Sequence, residues 1–290
     1  MKLALVTYDA ITSYGSLSGA EDGLLLQYLS SKGLDITPEV WDNPAVNWEQ
    51  YDLAIFKSPW DYFDKFPAFR AWLDRIETLG LRTLNPIGTI RWNSDKHYLL
   101  EVAQAGLPVV PTALLKKGAR AQLEDFFTQF STSKLIIKPS VSGGAKNTFI
   151  VPREEAEQVV PKLEELLAHE DFLVQPFMPQ IQEEGEWSFL FFNGKYSHCL
   201  LKSAKSGDFR VQHFFGGTIH PQPAPANLLP QAQKLVDQFA KGCLYARVDG
   251  VAVGEELQLM ELELIEPFLF LHTHEHALEN YYRALKELLN

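Results

Sequence analysis

A parallel α/β domain followed by a larger α+β region is the fold class that this sequence predicts, and three observations carry the prediction. Strand-like and helix-like segments alternate strictly up to about residue 92. Beyond Asn93 the alternation gives way to clustered strands, one pair joined by the hairpin signal NGK at residues 193–195. The chain is also 290 residues long, more than a single core usually organises.

In the first region KLALVTY has the length and apolarity of a buried strand. AEDGLLLQYLSSKG carries apolar residues at helical spacing and closes on Gly33. DITPEVW and DLAIFKS are two more strands. FPAFRAWLDRIETLG is a helix with Phe66, Phe69, Leu73 and Ile76 on one side, and RTLN is a fourth strand stopped by Pro86. Such alternation implies right-handed crossovers and a parallel sheet, a small Rossmann-like unit. No G-x-G-x-x-G fingerprint is present, and SGAEDG is too weak a match to imply a dinucleotide.

In the second region NSDKHYLLEVAQAG reads as a helix that carries Lys96, starts on an Asn or Ser cap and ends at Gly106. LPVVPTALL is extended, ARAQLEDFFTQF helical, KLIIKPS and NTFIVP strands, and REEAEQVVPKLEELLAH a helix. The last third is richer in strands: FLVQPFM, EWSFLFFNGKYSHCLLKSA and FRVQHFF, then YARVDGVAV and ELQLMELELIEP after the helix NLLPQAQKLVDQFAKG. A terminal helix is expected from about Thr273.

Composition excludes several functions. A formal charge of −11 leaves no basic surplus for a general nucleic-acid or anionic-membrane binder. MKLALVTYDA lacks the length and flanks of a secretion signal, and no apolar run approaches a membrane span. Cys199 and Cys243 are the only cysteines, as expected of packing residues in a reducing compartment. A soluble cytoplasmic protein is the expectation.

The chemistry-bearing residues come in order. Lys138 ends an apolar strand and is followed by SVSGGAKN, the reverse of a Walker-type loop, whose lysine follows its glycines at the mouth of a helix. Lys96 and Lys138 can neutralise charge along a triphosphate while N–H groups of the glycine loop cover its end. Glu261 and Glu263 are two apart in a strand and share a face, and Asp249 lies on the strand expected to pair with it. Three such carboxylates repel unless a hard cation sits among them, which suits Mg²⁺. Taken singly, Lys138 also reads as an edge lysine, the two glutamates as a solvated strand face, and Asp249 as a turn residue. HTHEH places His272 and His276 four apart, a spacing that can hold zinc on a helix, but HExxH is absent.

This ordered set resembles the ATP-grasp superfamily from about Asn93 to Pro267. DKHYLLEVAQAGLPVVPT is similar to its first lysine segment, and LIIKPSVSGGAKNTF to its second lysine strand and lid loop. FLVQPFM resembles the hinge that hydrogen-bonds adenine, and YARVD with LMELEL the paired metal-binding strands. The resemblance implies an ATP-grasp fold behind a Rossmann-like (pre-ATP-grasp) domain. Its divisions are 1–92 on the substrate side, 93–178 as the central lid subdomain and 179–290 as the C-terminal subdomain with the metal ligands.

It further implies that Lys96, Lys138, Ser140, Ser142, Gly143 and Gly144 hold phosphates, with Gln175, Phe177 and Met178 near the base. Glu186 or Glu183 takes the ribose, and Asp249, Glu261 and Glu263 the metal, Mg²⁺ or Mn²⁺. Glu263 stands where the family usually has Asn, and Gln175 where an acid is common. GDFRVQHFFGG resembles the catalytic loop of glutathione-synthetase-like members, which makes Arg210 a catalytic cation, Arg247 its companion, and Gly216 and Gly217 substrate contacts. Lys202 is expected to face the same cavity.

SPWDYFDK, RWNSDK, EGEWSF and MELELIEPFLFL are similar to the branch that includes D-cycloserine-forming ligases. Trp60, Asp61 and Tyr62, at the carboxyl end of a parallel strand, are the candidate substrate contacts. The implied reaction is ATP-dependent carboxylate–amine ligation through an acyl phosphate, on an amino acid, small derivative or short peptide, intramolecular cyclisation included. Phosphotransfer to a small molecule and nucleotide binding without turnover are the alternatives. Family members often dimerise, so a homodimer is a further expectation.

Overall fold

The computed structural model describes residues 1–9, 18–204 and 216–289. The first unit contains β1 (Lys2–Thr7), α1 (Ser18–Ser31), β2 (Asp35–Val40), β3 (Leu53–Ser58), α2 (Phe66–Thr78) and β4 (Arg82–Leu84). Its sheet has the order β2-β1-β3-β4 and is parallel throughout. Alternation along the central strands divides the packing: Leu3, Leu5, Leu53 and Ile55 face α1, while Ala4, Val6, Ala54 and Phe56 face α2. On α2 the buried residues are Phe69, Trp72, Leu73 and Ile76, so Trp72 replaces the expected Phe66, which is only half-buried.

Next come α3 (Ile87–Asn93) and α4 (Tyr98–Gln104). The sequence reading of one capped helix is corrected here: residues 94–97 form a turn, so Lys96 precedes α4 and no Asn or Ser caps it. The central unit contains β5 (Ala113–Leu115), α5 (Leu123–Gln129), β6 (Lys134–Pro139), β7 (Phe149–Pro152), α6 (Ala156–Leu167) and β8 (Phe172–Pro176). Its antiparallel sheet has the order β5-β8-β6-β7, with Leu135, Ile137, Val151 and Val174 packed under α5 and α6. Burying each such side chain contributes about 1.5–3 kcal/mol.

The last unit contains α7 (Gln180–Glu183), β9 (Glu186–Phe192), β10 (Lys195–Ser203), β11 (Thr218–Pro221), α8 (Leu229–Phe239), β12 (Tyr245–Val253), β13 (Glu256–Glu263) and α9 (Ala277–Leu289). Its antiparallel sheet runs β11-β10-β9-β12-β13. Asn193 and Gly194, with φ of 47° and 73°, make the β9–β10 turn, both in the left-handed region that a two-residue type I′ hairpin demands. Strand β11 was not expected, α9 begins four residues after Thr273, and FRVQHFF lies outside the described residues.

Two packings set the site. α4 and α8 cover one face of this sheet, so the helix following Lys96 shares a core with the C-terminal unit, to which the central sheet adds Leu173 and Leu114. On the other face Leu190, Phe192 and Tyr245 join α1, α9 and the first sheet in one core. The N-terminal and C-terminal units therefore form a single base, over which the central unit stands. Among the described residues no helix is long and apolar enough to cross a membrane.

Candidate active site

The sheet face that packs on the N-terminal unit turns polar at its other end, and strand register assembles a charged row there. Arg247 and Asp249 are two apart on β12, and a bulge after Asp249 leaves Asp249 opposite Glu261 and Arg247 opposite Glu263 on β13. Asp249 also faces Ser188 of β9, and Glu186, on the same face as Ser188, stands opposite Lys202 of β10.

These charges are cross-linked. Arg247 Nε donates to the two Asp249 oxygens at 3.1 and 3.0 Å, and Nη2 donates to Asp249 at 2.8 Å and to Glu263. Arg247 Nη1 donates to the Phe268 carbonyl at 2.9 Å, and Ser188 Oγ donates to Asp249. Lys202 pairs with Glu186 and lies 3.4 Å from Asp249. Lys96 Nζ lies 3.1 Å from Glu261 and donates to the Ser142 carbonyl. The expectation that the three carboxylates need an external cation to coexist is thus corrected: Arg247, Lys202 and Lys96 already separate them.

Burial acts to raise the Asp249 and Glu261 carboxyls, but Arg247 with Lys202, and Lys96 with Lys138, outweigh it and hold both below their ordinary values. Burial pushes Glu263 up to about 7, opposed by Arg247 and reinforced by Asp249 and Glu261. Burial likewise raises Glu186 against the pull of Lys202.

Facing this row is β6, whose alternation turns Ile136 and Lys138 away from the central core. The Lys138 ammonium enters no ion pair among the described residues. Burial depresses it to about 8, with Glu261 opposing and Lys96 reinforcing the drop. Gln175 pairs with Ile136 across β8 and donates to Thr112 Oγ1 at 2.8 Å. After β8 the N–H of Phe177 donates to the Lys134 carbonyl at 2.9 Å, and the residue itself lines the cavity. The N–H of Met178 has no protein partner among the described residues.

The two faces enclose a cavity of about 410 Å³ that Lys96, Lys138, Lys202, Arg247 and five carboxylates line, the four of the row and Glu266. That is inside the range of roughly 300–1,000 Å³ usual for small-molecule sites. Ser142, Gly143 and Gly144 form its edge, with Phe177, Met178 and Trp60 along the walls. Gly143 runs so close to the N-terminal unit that a Cβ would meet the Phe63 ring at 2.3 Å, and Lys146 of the same loop pairs with Asp64. Only glycine fits that approach.

Several sequence candidates lie elsewhere. Ser140 is buried beneath the loop, its carbonyl accepting from Lys96 N–H at 2.8 Å, and does not line the cavity. Glu183 is exposed on α7, outside the cavity that Glu186 lines. Asp61 is buried, accepting from Trp41 Nε1 at 2.7 Å and Lys65 at 2.6 Å, while Tyr62 packs on Phe69 with centroids 4.9 Å apart. Both are framework residues, and of the expected trio only Trp60 reaches the cavity. Gly216 and Gly217 lead into β11 without lining it, and Arg210 lies outside the described residues.

Sequence reasoning missed Glu266, Phe63, Phe268 and Phe270, all of which line the cavity. It also missed two buried asparagines that fix the carboxylate strands. Asn93 Nδ2 donates to the Leu262 carbonyl at 2.7 Å and its Oδ1 accepts from Leu264 N–H at 2.9 Å. Asn85 bonds in the same way to Leu264, Leu244 and Tyr245.

Among the described residues no three His, Cys, Asp or Glu side chains gather as a metal cage. The HTHEH histidines are otherwise engaged: His274 stacks on His198 at 5.7 Å and His272 borders the cavity. Asp249 facing Glu261 is, however, the sparse carboxylate donor set by which Mg²⁺ is held when phosphates complete its shell. The residues therefore fit that ion.

Residues 102–269 match the family described as prokaryotic glutathione synthetase, ATP-grasp domain, and residues 3–85 match the N-terminal domain of D-cycloserine synthetase DcsG. The chain belongs to the ATP-grasp family and is an ATP-binding ligase, an enzyme that forms C–N bonds. It is 27% identical over 275 residues to the cycloserine biosynthesis protein DcsG of Streptomyces lavendulae, spanning 88% of this chain and 89% of that protein. The crystal structure of D-cycloserine synthetase DcsG superposes with a TM-score of 0.87 at 26% identity, covering 100% of both chains. D-alanine–D-alanine ligase from Bacillus anthracis shares the fold at a TM-score of 0.73 and 16% identity, covering 100% of this chain and 96% of that one. The expected ATP-grasp fold with a Rossmann-like domain in front is the fold observed.

Proposed function

We propose that this ligase activates a carboxylate as an acyl phosphate and passes the acyl group to an amine on an amino acid, a small amino-acid derivative or a short peptide. The supporting observation is the uncommitted, half-buried cation of Lys138 facing the Asp249–Glu261 pair across one cavity. A partly desolvated cation without a partner is costly, and an anionic phosphate is the ligand that relieves it.

In this reading Lys138 and Lys96 neutralise the phosphates, and the loop at Ser142–Gly144 closes over them. Met178 N–H donates to the base, and Glu186 holds the ribose. Asp249, Glu261 and Glu263 would hold Mg²⁺, or Mn²⁺ in its place, which when bound offsets charge developing on the phosphates. A substrate carboxylate oxygen attacks the γ-phosphorus and ADP leaves. The amine nitrogen then attacks the acyl carbon, phosphate leaves, and the amine gives up a proton. Arg247 and Lys202 hold the carboxylates in register at the row, and Trp60 with the aromatic wall keeps water from the acyl phosphate.

The similarity to DcsG supports a finer reading, intramolecular cyclisation of a small amino-acid derivative. The test is ADP release screened against amino acids and dipeptides, singly and in pairs, D-isomers included, with products weighed by mass. A condensed or cyclised product with one ADP each is expected, and Lys138→Ala and Glu261→Ala should abolish it. A stable phosphorylated acceptor as the only product would sink the ligase reading.

A further inference from the structure

Charge pairing in the cavity leaves two groups over. Lys96 is taken by Glu261, Lys202 by Glu186, and Arg247 by Asp249 and Glu263. The cation left over is Lys138, and the carboxylate left over is Glu266, which no described residue pairs with in an ion pair. The two are carried by different units: Lys138 lies on β6 of the central sheet and Glu266 just beyond β13 of the C-terminal sheet. The cavity therefore has a polarity, accepting negative charge at the lysine end and positive charge at the Glu266 end.

The surroundings of Glu266 suit a cation. Its main-chain carbonyl accepts from Trp60 Nε1 at 2.7 Å, which pins the indole beside it. Trp60 and Phe268 lie 6.5 Å apart and Phe268 and Phe270 4.9 Å apart, all on the cavity wall. Arg247 occupies the face of Phe270 at 5.7 Å and Tyr8 stacks on one face of Trp60 at 6.3 Å, so the other Trp60 face and the Phe268 ring are left for a ligand. A carboxylate and aromatic rings lining one cavity supply the negative charge and the π-faces that bind ammonium groups.

We infer that Glu266, with Trp60 and Phe268, is a subsite for a cationic nitrogen, an ammonium group, carried by the substrate whose carboxylate is activated. The subsite deepens the ligase reading and rests on it for the substrate's carboxylate, but binding alone can test it. Burial, reinforced by Glu263 and opposed by Lys96, raises this carboxyl well above its ordinary range, and an adjacent ammonium favours its ionised form. The residue thereby selects α-amino acids over their uncharged counterparts.

The experiment is calorimetry on the full chain loaded with Mg²⁺ and a non-hydrolysable ATP analogue, titrated with amino acids and with 2-hydroxy acids of the same skeletons. The wild type should bind at least one amino acid about tenfold to a hundredfold more tightly than its hydroxy counterpart, the value of one charge-assisted hydrogen bond. Glu266→Gln should erase that preference and leave the affinity for the nucleotide analogue unchanged. A wild type without preference for any cationic member, a Gln variant that keeps the preference, or one that loses nucleotide affinity would each overturn the assignment. Should the variant fail to fold, the wild-type comparison decides alone. Discriminating binding with no ADP release from any pairing would instead defeat the ligase reading and leave the subsite standing.

Discussion

Lys138→Met should stabilise the protein without ligand while disabling it. Methionine keeps the aliphatic stem and removes a charge that burial disfavours. The drop of the ammonium from 10.5 to about 8 corresponds to at most about 3 kcal/mol of stability withheld at pH 7. Below pH 8 Lys138 is charged in folded and unfolded chains alike and the full penalty applies. Between pH 8 and 10.5 the unfolded chain holds the proton that the folded one has released, so wild-type stability rises with pH relative to the variant. The advantage of Lys138→Met in urea denaturation should therefore be largest at pH 7 and fade towards pH 10. ATP affinity should move oppositely, falling about tenfold to a hundredfold for one lost charge-assisted contact. A variant that is less stable than wild type at pH 7, or that keeps its ATP affinity, refutes the claim that this lysine is held unpaired for an anion.

Three further outcomes follow from other parts of the site. Arg247→Ala strands Asp249 and Glu263 in the interior and should cost about 3–5 kcal/mol in denaturant titrations, with turnover abolished. Gly143→Ala forces a methyl group against the Phe63 ring; kcat/KM for ATP should fall with little change in melting temperature, and adding Phe63→Ala should restore it, whereas an unrescued double variant counts against the contact. Glu263 rises to about 7, so as pH falls through 7 it takes up a proton and the Mg²⁺ concentration needed for half-maximal rate should climb; Glu263→Asn, which restores the family's usual residue, should remain active and lose that dependence.

Much of this was legible because strands alternate. The two-residue spacing of Arg247 with Asp249 and of Glu261 with Glu263 fixed their shared face before any register was known, and the apolar run ahead of Lys138 fixed its strand. Glu266 escaped because it lies beyond the end of β13, where periodicity no longer says which way a side chain points. Asp61 and Tyr62 misled for a related reason: the carboxyl end of β3 is a ligand-facing position in principle, yet Trp41, Lys65 and Phe69 claim those two side chains for the core. Asn85 and Asn93 look like ordinary helix-flanking residues, and only the approach of β12 and β13 shows that they satisfy main-chain groups more than 150 positions away.

Those long-range asparagine contacts bear on how the site survives without its ligands. A row of buried carboxylates and cations is stable only if every charge has a partner in each state the protein visits. In this structure Lys96 lies on Glu261, and Arg247 on Asp249 and Glu263. On the proposed reading Lys96 exchanges Glu261 for phosphate oxygens as that carboxylate turns to a divalent ion, so no charge is left bare. Such an exchange demands that the strands stay fixed while side chains change partners, and Asn93 and Asn85 tie β13 to the base on which that row sits. The central unit has its own core and touches the base through the Gly143–Phe63 approach and the Lys146–Asp64 pair among other contacts. Movement on nucleotide binding is therefore expected in the central sheet that carries Lys138, not in the sheet that carries the carboxylates. Amide exchange that slowed on ATP addition mainly in β12 and β13, leaving β6 and β7 unchanged, would contradict this division.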